Sequence, residues 1–277
     1  MLDILADLKR IRFVLLVFAS IFVIGLVFIG YSKALDPKTA FVIYTFEDGN
    51  GEKVKDLSGN GNDADFKGNN IQWVKGKNGG GLKLGGANNS LVCPTINGVG
   101  KTFFSECLWA NFDDLTPENQ FGYISCTQTA NARYFYFSTW SSAGAPNDAI
   151  HCGTLDAAGA WGRGISTGRV FKKGQWYHVA GVIDTKVGTI RVYVDGSLVQ
   201  EMVITPGDTP GTPAEIWVGG SPEAYQWLTG TIDDVGFFNV ALTEDDINNI
   251  MNNGLAKGFA VQAQGKLPIT WATIKNQ

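Results

Sequence analysis

The sequence predicts an all-β fold in which antiparallel sheets are stacked as a sandwich. Thirty-five glycines, eight tryptophans and seventeen phenylalanines, against three methionines, favour short strands joined by tight turns over a helical bundle. A dozen apolar or alternating runs recur between turn signals, with no helical pattern between them. Parallel strands would each need a crossover helix, so these strands are predicted to be antiparallel.

The composition is that of an ordinary globular domain and excludes one class of partner. The 277 residues are 44% hydrophobic and 17% charged, enough for a sizeable core. The formal net charge is -4, and no Lys/Arg stripe is present to neutralise a phosphate backbone. A nucleic-acid partner is therefore not expected.

The chain begins with a predicted membrane-targeting segment, an uncharged apolar run over residues 13–30. Lys9, Arg10 and Arg12 precede it, and such charges orient the N-terminus toward the cytoplasm. The rest of the chain is therefore predicted to be exported, to an extracellular or cell-surface location.

Residues 1–34 form either a cleaved signal peptide or a retained signal anchor. Ser32 and Ala34 supply the small residues that a cut after Ala34 requires. The apolar run is longer than the ~7 to 15 residues of a usual signal-peptide core and reaches the ~17 that span a bilayer. Both alternatives remain open. If uncleaved, the segment would hold the protein in the membrane as an N-terminal apolar helix.

The predicted strands follow this segment. In chain order they cover residues 40–46, 81–85, 90–95, 103–112, 122–127, 133–140, 149–155, 176–184, 189–196, 198–204, 215–220 and 231–238. The ninth and tenth form the clearest hairpin, because Asp195-Gly196 supplies the two positive-φ positions of a type I′ turn.

One amphipathic helix is predicted near the C-terminus. Thr243 caps it, Asp246 completes a capping box and Gly254 stops it. Its apolar face consists of Leu242, Ile247, Ile250 and Met251. The helix is expected to dock on the sandwich, and residues 255–277 are expected to form an edge strand and a tail.

Four cysteines fit an exported chain, in which disulfides persist. They are Cys93, Cys107, Cys126 and Cys152, and they allow three pairings between which the sequence does not decide. The alternative is that some are buried, reduced thiols.

Several motifs occur together in one order. Residues 44–66 read YTFEDGNGEKVKDLSGNGNDADF, residues 172–184 read KKGQWYHVAGVID, and residues 228–250 read LTGTIDDVGFFNVALTEDDINNI. In this order they resemble the LamG-like jelly-roll domains of the concanavalin A-like lectin/glucanase superfamily. The resemblance implies a two-sheet antiparallel jelly roll over residues 36–254, with one short C-terminal helix and a preceding N-terminal apolar helix. It also implies binding of glycans or extracellular proteins, usually without catalysis.

The resemblance further implies one structural calcium on the convex face. Carried over by position, its ligands would be Glu47 or Asp48, oxygens of the loop from Asn60 to Asp63, and Asp233 or Asp234. The alternative is that Asp56, Ser58, Asn60 and Asn62 hydrogen-bond their own backbone in Asx turns. Both remain open.

Aromatic side chains are the candidates for glycan binding, since sugars present flat apolar faces and many hydroxyls. Trp140 and Trp161 bracket a Gly/Ala/Ser-rich insertion, and Tyr225 and Trp227 lie in a second predicted loop. By contrast, Trp109, Trp176 and Trp217 lie inside predicted strands and are assigned to the core.

No catalytic constellation is present in the sequence. Glycosidases of the superfamily place carboxylates along one strand face in an E-x-D-x-E pattern, which this chain lacks. The adjacent Asp233 and Asp234 would point to opposite faces of a strand. The sequence therefore predicts an exported, non-catalytic carbohydrate-binding or adhesion module of the cell envelope. Its alternatives are a self-associating structural subunit anchored by the N-terminal helix and, less favoured, a glycan-active hydrolase.

Overall fold

A computed structural model describes residues 35–99, 102–115, 121–128, 133–140, 148–160, 162–209, 215–222 and 227–258. Within these residues, sixteen strands form two antiparallel sheets, followed by two short helices. The all-β sandwich and its C-terminal helix are therefore confirmed. The predicted N-terminal helix lies outside the described residues.

The strands are numbered in chain order. They are β1 (Ala40–Tyr44), β2 (Lys53–Val54), β3 (Ala64–Lys67), β4 (Ile71–Lys75), β5 (Gly80–Gly85), β6 (Ser90–Cys93), β7 (Phe103–Phe112), β8 (Phe121–Gln128), β9 (Arg133–Trp140), β10 (Ala149–Thr154), β11 (Arg163–Arg169), β12 (Trp176–Asp184), β13 (Thr189–Val194), β14 (Ser197–Val203), β15 (Glu215–Val218) and β16 (Thr229–Phe238). The helices are α1 (Glu244–Asn253) and α2 (Leu255–Gly258).

The two sheets have eight strands each. Sheet A has the order β14-β13-β12-β7-β16-β5-β4, and β1 also pairs with β16. Sheet B has the order β11-β10-β9-β8-β15-β6-β3-β2. Strands distant in sequence are therefore neighbours in each sheet, as a jelly roll requires.

The main core fills the space between the sheets. Alternate residues of each strand point inward, so that rings from both sheets meet there. The ring of Phe104 on β7 lies 4.3 Å from that of Phe135 on β9 and 5.9 Å from that of Phe237 on β16. All three side chains are buried, each stabilising the fold by roughly 1.5 to 3 kcal/mol through removal of apolar surface from water.

Helix α1 covers part of the outer face of sheet A. The Thr243 hydroxyl accepts a hydrogen bond from the Asp246 amide at 3.1 Å, and the Asp246 carboxylate accepts one from the Thr243 amide at 3.0 Å. Gly254 ends the helix with a φ of 76°. The apolar face packs on Cys107, Ala180, Val182 and Phe238 of the sheet. The predicted capping box, stop and docking of this helix are confirmed.

All twelve predicted runs are strands, and the Asp195-Gly196 turn has φ values of 48° and 80°. Four strands, β2, β3, β4 and β11, were not predicted. An edge strand and tail were expected over residues 255–277, but Leu255–Gly258 form the short helix α2. Residues 259–277 lie outside the described part of the chain.

The four cysteines lie in described strands, are buried, and form no disulfide with one another. The alternative of buried thiols therefore holds for all four.

In the described part of the chain, no helix has the length and apolarity needed to cross a bilayer. The predicted targeting run over residues 13–30 lies outside that part.

Candidate functional site

The outer face of sheet B carries a row of residues that crosses five strands. Trp217 of β15 pairs with Cys126 of β8, which pairs with Tyr136 of β9. The row continues from Tyr136 to Gly153 of β10 and Gly164 of β11. Directly paired residues share a face of the sheet. We call these five residues the aromatic row, and they face away from the main core.

Two glycines let the phenol of Tyr136 lie across neighbouring strands. A Cβ on Gly153 would stand 2.3 Å from the Tyr136 hydroxyl oxygen, and one on Gly164 would stand 2.0 Å from it. No side chain fits at either position while the ring stays there. The glycines therefore determine the orientation of the aromatic ring on this face.

A polar row runs beside the aromatic row. Ser138 of β9 pairs with His151 of β10, which pairs with Ser166 of β11. The Nε2 atom of His151 lies 3.4 Å from the Tyr136 hydroxyl, and the two ring centroids are 4.8 Å apart. His151 is half-buried and Ser166 is exposed. Hydroxyl and imidazole groups thus border the aromatic rings.

Trp217 and Trp227 extend this face over the other half of the sheet. The Lys67 ammonium lies 4.1 Å from the centroid of the Trp217 ring, a cation–π contact. The Nε1 group of Trp217 is buried without a hydrogen-bond partner. Trp227 is half-buried against Gly220, where a Cβ would stand 2.4 Å from a ring carbon. Both indoles therefore belong to the same surface.

The predicted glycan-binding residues fall in different places. Trp227 contributes to the outer face of sheet B. Trp140 ends β9, where its backbone pairs with Ala149, two register positions beyond Ser138. Trp161 and Tyr225 lie outside the described residues.

Sequence reasoning missed Trp217, Tyr136 and His151. Trp217 is buried, at 4% exposure, as its assignment to the core predicted, but it packs in a small cluster on the outer face of sheet B and not between the sheets. Its neighbours Ile216 and Val218 occupy the main core. Strand alternation around these two aliphatic residues was the signal that could have placed the indole on the opposite face.

Three of the predicted calcium ligands surround the turn between β4 and β5. The Asp233 carboxylate accepts a hydrogen bond from the Asn78 amide at 2.8 Å, and Asp234 accepts one from the Asn78 side chain at 3.0 Å. Glu47 accepts one from the Gly80 amide at 3.0 Å. Burial raises the pKa of Asp233 to about 7, and burial, with a contribution from Glu47, raises the pKa of Asp234.

The other predicted ligands lie in the loops before β2 and β3. Asp63 accepts a hydrogen bond from the Asp56 amide at 2.9 Å, and the Asn60 amide group donates to the Ala40 carbonyl at 3.2 Å. Asp48 accepts one from the Lys55 amide at 3.2 Å. The six predicted ligands are therefore divided among separate hydrogen-bond networks.

The loop itself is organised by the Asx turns that the alternative described. Asp56 accepts hydrogen bonds from the amides of Ser58 and Asn62 at 2.9 and 3.0 Å. It also accepts one from the amide of Ile43 at 3.0 Å, which ties the loop to β1. Among the described residues, no three His, Cys, Asp or Glu side chains are arranged to hold a metal ion. Around the turn, the donors are nevertheless of the oxygen type that calcium prefers.

A cavity of about 500 Å³ lies away from this face, between the β10–β11 connection and residues 205–208. Arg163 lines it and donates to the carbonyl oxygens of Gly207 and Asp208, both at 2.9 Å. These bonds use the two terminal nitrogens of the guanidinium, and its buried Nε has no partner.

Comparison with known proteins gives one family. Residues 84–248 match the model of a family described as the concanavalin A-like lectin/glucanases superfamily. C-reactive protein of Mesocricetus auratus is 24% identical over 139 residues, which cover 46% of this chain and 61% of that relative. The aligned region thus spans less than two thirds of the relative's length.

Solved structures with the same fold include carbohydrate-bound domains. Domain 4 of AbnA, an extracellular arabinanase of Geobacillus stearothermophilus, was solved with arabinotriose; it is 19% identical, with a TM-score of 0.59, covering 77% of this chain and 98% of that one. The ligand binding domain of botulinum neurotoxin serotype D, solved with N-acetylneuraminic acid, is 16% identical, with a TM-score of 0.60, covering 78% and 51%. The binding domain of Paraclostridial Mosquitocidal Protein 1 is 15% identical, with a TM-score of 0.63, covering 78% and 52%. At these identities the likeness shows the jelly-roll fold alone.

Proposed function

Because the chain belongs to the concanavalin A-like lectin/glucanase superfamily, we propose that it is a non-catalytic carbohydrate-binding module of the cell envelope. The observation that carries the proposal is the aromatic row on the outer face of sheet B, with the polar row directly beside it. The bound carbohydrates of two structural neighbours support the same ligand class.

The two rows match the chemistry of a sugar. The flat apolar face of a pyranose or furanose ring stacks on an indole or phenol, while its hydroxyls need donors and acceptors at the rim. Trp227 supplies a half-buried indole on this face, and His151 and Ser166 supply accessible polar groups. Trp217 and Tyr136 are themselves buried, at 4% and 3% exposure, so we infer that the glycan contacts the more accessible Trp227, His151 and Ser166 around them.

The absence of catalysis is part of the proposal. A glycosidase needs two carboxyl groups about 5 to 9 Å apart on either side of the scissile bond. The aromatic row continues through paired residues on β6, β3 and β2 as far as Lys53. Among the described residues paired in this way from Lys53 to Gly164, Asp65 is the one that carries a carboxylate. It lies near the sheet edge and pairs with Lys53 at 2.7 Å. The residues of this row therefore offer a sugar hydrogen bonding and stacking, and do not offer the two carboxyl groups of a glycosidase.

Replacing Trp227 with alanine is expected to weaken glycan binding about tenfold, because a stacking indole contributes a large part of the affinity of a site. Isothermal titration of the full-length chain with arabinotriose and with N-acetylneuraminic acid, guided by a glycan array, measures the effect. Trp73→Ala is the matched control, since Trp73 is also half-buried but lies on β4 of the other sheet. Absence of binding to any arrayed glycan, or equal affinity in both variants, would refute the proposed site.

We further propose that one structural calcium binds beside the turn between β4 and β5, where the Asp234 carboxylate and backbone carbonyl oxygens would supply its ligands. Calcium at about 100 times its Kd would then stabilise the fold by about 2.7 kcal/mol. Thermal unfolding in calcium and in chelator should differ for the natural chain and for Asp63→Asn, but not for Asp234→Asn. Identical unfolding of the natural chain in both conditions excludes the metal.

We propose an exported location because basic residues precede an apolar run in the N-terminal segment. An intact mass of the protein from its native host distinguishes cleavage after Ala34 from a retained membrane anchor.

Self-association stays a prediction from the sequence. If it occurs, β14 is the strand suited to it, because β14 lies at the edge of sheet A and exposes Leu198, Val199 and Val203.

A further inference from the structure

The outer face of sheet A carries a second group of aromatic and polar side chains, on strands that α1 leaves accessible. Trp176 of β12 pairs with Asn111 of β7, and Asn111 pairs with Thr231 of β16. Thr231 pairs in turn with Lys83 of β5. We call these four residues the sheet A row. All four are half-buried, so each is in contact with both the sheet and the solvent.

Trp109 and His178 lie directly beside this row. They pair across β7 and β12, and their rings meet edge to face with centroids 5.2 Å apart. The ammonium of the exposed Lys77 lies 4.5 Å from the centroid of the Trp109 ring. The same arrangement, a tryptophan under a lysine ammonium, occurs at Trp217 and Lys67 on the opposite face.

Four buried polar atoms in this group have no hydrogen-bond partner. They are Nε1 of Trp109, Oδ1 of Asn111, and Nδ1 and Nε2 of His178. Trp109 is 7% exposed and His178 is 1% exposed. Folded proteins satisfy the large majority of such atoms, so an unsatisfied cluster points to a bound partner.

The polarity of the unpartnered atoms identifies the kind of partner. The indole N–H of Trp109 is a donor, and the amide oxygen of Asn111 is an acceptor. The two residues are two positions apart on the same face of β7, or about 7 Å along the strand. Two neighbouring hydroxyl groups of a ligand would satisfy this pair, since one accepts a hydrogen bond from the indole N–H and the other donates one to the amide oxygen.

The charged groups on this face have partners within the protein. Asp233, which pairs with Trp109 in the strand register, accepts a hydrogen bond from the Asn78 amide. The Lys83 ammonium pairs with the Asp113 carboxylate. Burial lowers the pKa of His178 to about 3, which keeps its imidazole neutral near physiological pH. The partner is therefore expected to be neutral and hydroxyl-rich.

We propose that the sheet A row, with Trp109, His178 and Lys77, forms a second saccharide-binding site on the opposite side of the sandwich from the site on sheet B. A neutral sugar ring lies over the Trp176 indole. Two vicinal hydroxyls engage Trp109 Nε1 and Asn111 Oδ1, while the Lys77 side chain moves aside toward solvent.

Fluorine NMR of the full-length chain labelled with 5-fluorotryptophan tests the proposal. The eight tryptophans give separate probes, each assigned by a single Trp→Phe variant. Titration with arabinotriose, lactose and cellobiose, each to about 10 mM, is expected to shift the Trp109 and Trp176 signals saturably with at least one sugar. The shifts should persist in Trp227→Ala, which perturbs the site on sheet B.

Two matched variants make the result specific. Asn111→Ala should weaken the binding reported by Trp176 about tenfold, whereas Asn69→Ala, in an exposed turn, should leave it unchanged. If no sugar moves the Trp109 and Trp176 signals, or if Asn111→Ala binds like the natural chain, the proposal is wrong and the unpartnered atoms hold buried water. Shifts confined to Trp217 and Trp227 would overturn this second site while supporting the site on sheet B.

Discussion

Replacing Glu106 with glutamine is expected to remove about 1.4 kcal/mol per pH unit from the fall in unfolding free energy between about pH 5 and 8. Glu106 lies on β7, is fully buried and points into the main core between the sheets. The Ser125 hydroxyl donates to one carboxylate oxygen, and the other has no partner. Burial raises the pKa of Glu106 to about 8, and the Ser125 hydrogen bond lowers it only in part.

The sign of the effect follows from proton binding in the two states. In the unfolded chain the carboxyl group releases its proton near its ordinary pKa of about 4.3. In the folded chain Glu106 keeps its proton up to about pH 8. Between these values the unfolded state binds fewer protons, so stability falls as pH rises, by about 1.4 kcal/mol per pH unit. The full stability is present below about pH 4, and roughly 3 to 4 kcal/mol is lost by pH 7.

Urea unfolding at a series of pH values measures this slope. The slope of Glu106→Gln should differ from that of the natural chain by the contribution of one carboxyl group, and Asp233, whose raised pKa is retained, should still contribute. Glu201→Gln, on exposed β14, should keep the slope of the natural chain. Ser125→Ala should extend the loss of stability to higher pH, because it removes the hydrogen bond that favours the ionised carboxylate. Parallel slopes for the natural chain and Glu106→Gln would contradict the buried protonated carboxyl.

Replacing Gly153 with alanine is expected to destabilise the fold by about 1 to 3 kcal/mol and to abolish glycan binding on sheet B. The new Cβ would stand 2.5 Å from the Arg163 carbonyl oxygen and 2.6 Å from the Gly164 Cα. These are backbone atoms of the neighbouring strand, so relief requires β10 and β11 to separate. The shift would also displace the phenol of Tyr136 and the imidazole of His151.

Gly164→Ala provides a contrasting case within the same row. Its closest conflict is with the Tyr136 hydroxyl, so Tyr136→Phe in the same chain should restore much of the lost stability. Gly168→Ala is the neutral control, because a Cβ there meets nothing within 4 Å. Urea unfolding and arabinotriose titration of these variants measure both effects. If Gly153→Ala unfolds and binds like Gly168→Ala, the close packing of Tyr136 over β10 and β11 is wrong.

Most of the strands that sequence patterns identified have an apolar inner face, and the exposed edge strand β14 was identified through its hairpin with β13. β7 and β16 each carry a continuous buried pattern, and their runs predicted them without ambiguity. The unpredicted strands lie at the ends of the sheets: β4 ends sheet A, β11 ends sheet B, and β3 and β2 end its other side. A strand near an edge buries less of either face, so it needs no long apolar run. β11, which reads RGISTGR, resembles a loop for this reason.

The candidate site was predicted in part. Trp227 was identified as a loop aromatic, but Trp217 and Tyr136 lie in strands, where composition cannot distinguish an inner from an outer ring. Their partnership with Gly153, Gly164 and His151 depends on register between strands that are distant in sequence. No local pattern encodes that register.

The sequence by itself determined the features whose causes are local. The capping residues of α1 and the positive-φ hairpin turn are set by neighbours a few positions away, and the all-β class follows from strand-length apolar runs. The tertiary structure alone decided which aromatic side chains lie side by side and that Glu106 is buried without a countercharge. It also brought five strands together into the aromatic row. The physical reason is that burial and cross-strand register come from the simultaneous packing of both sheets, a property of the whole chain.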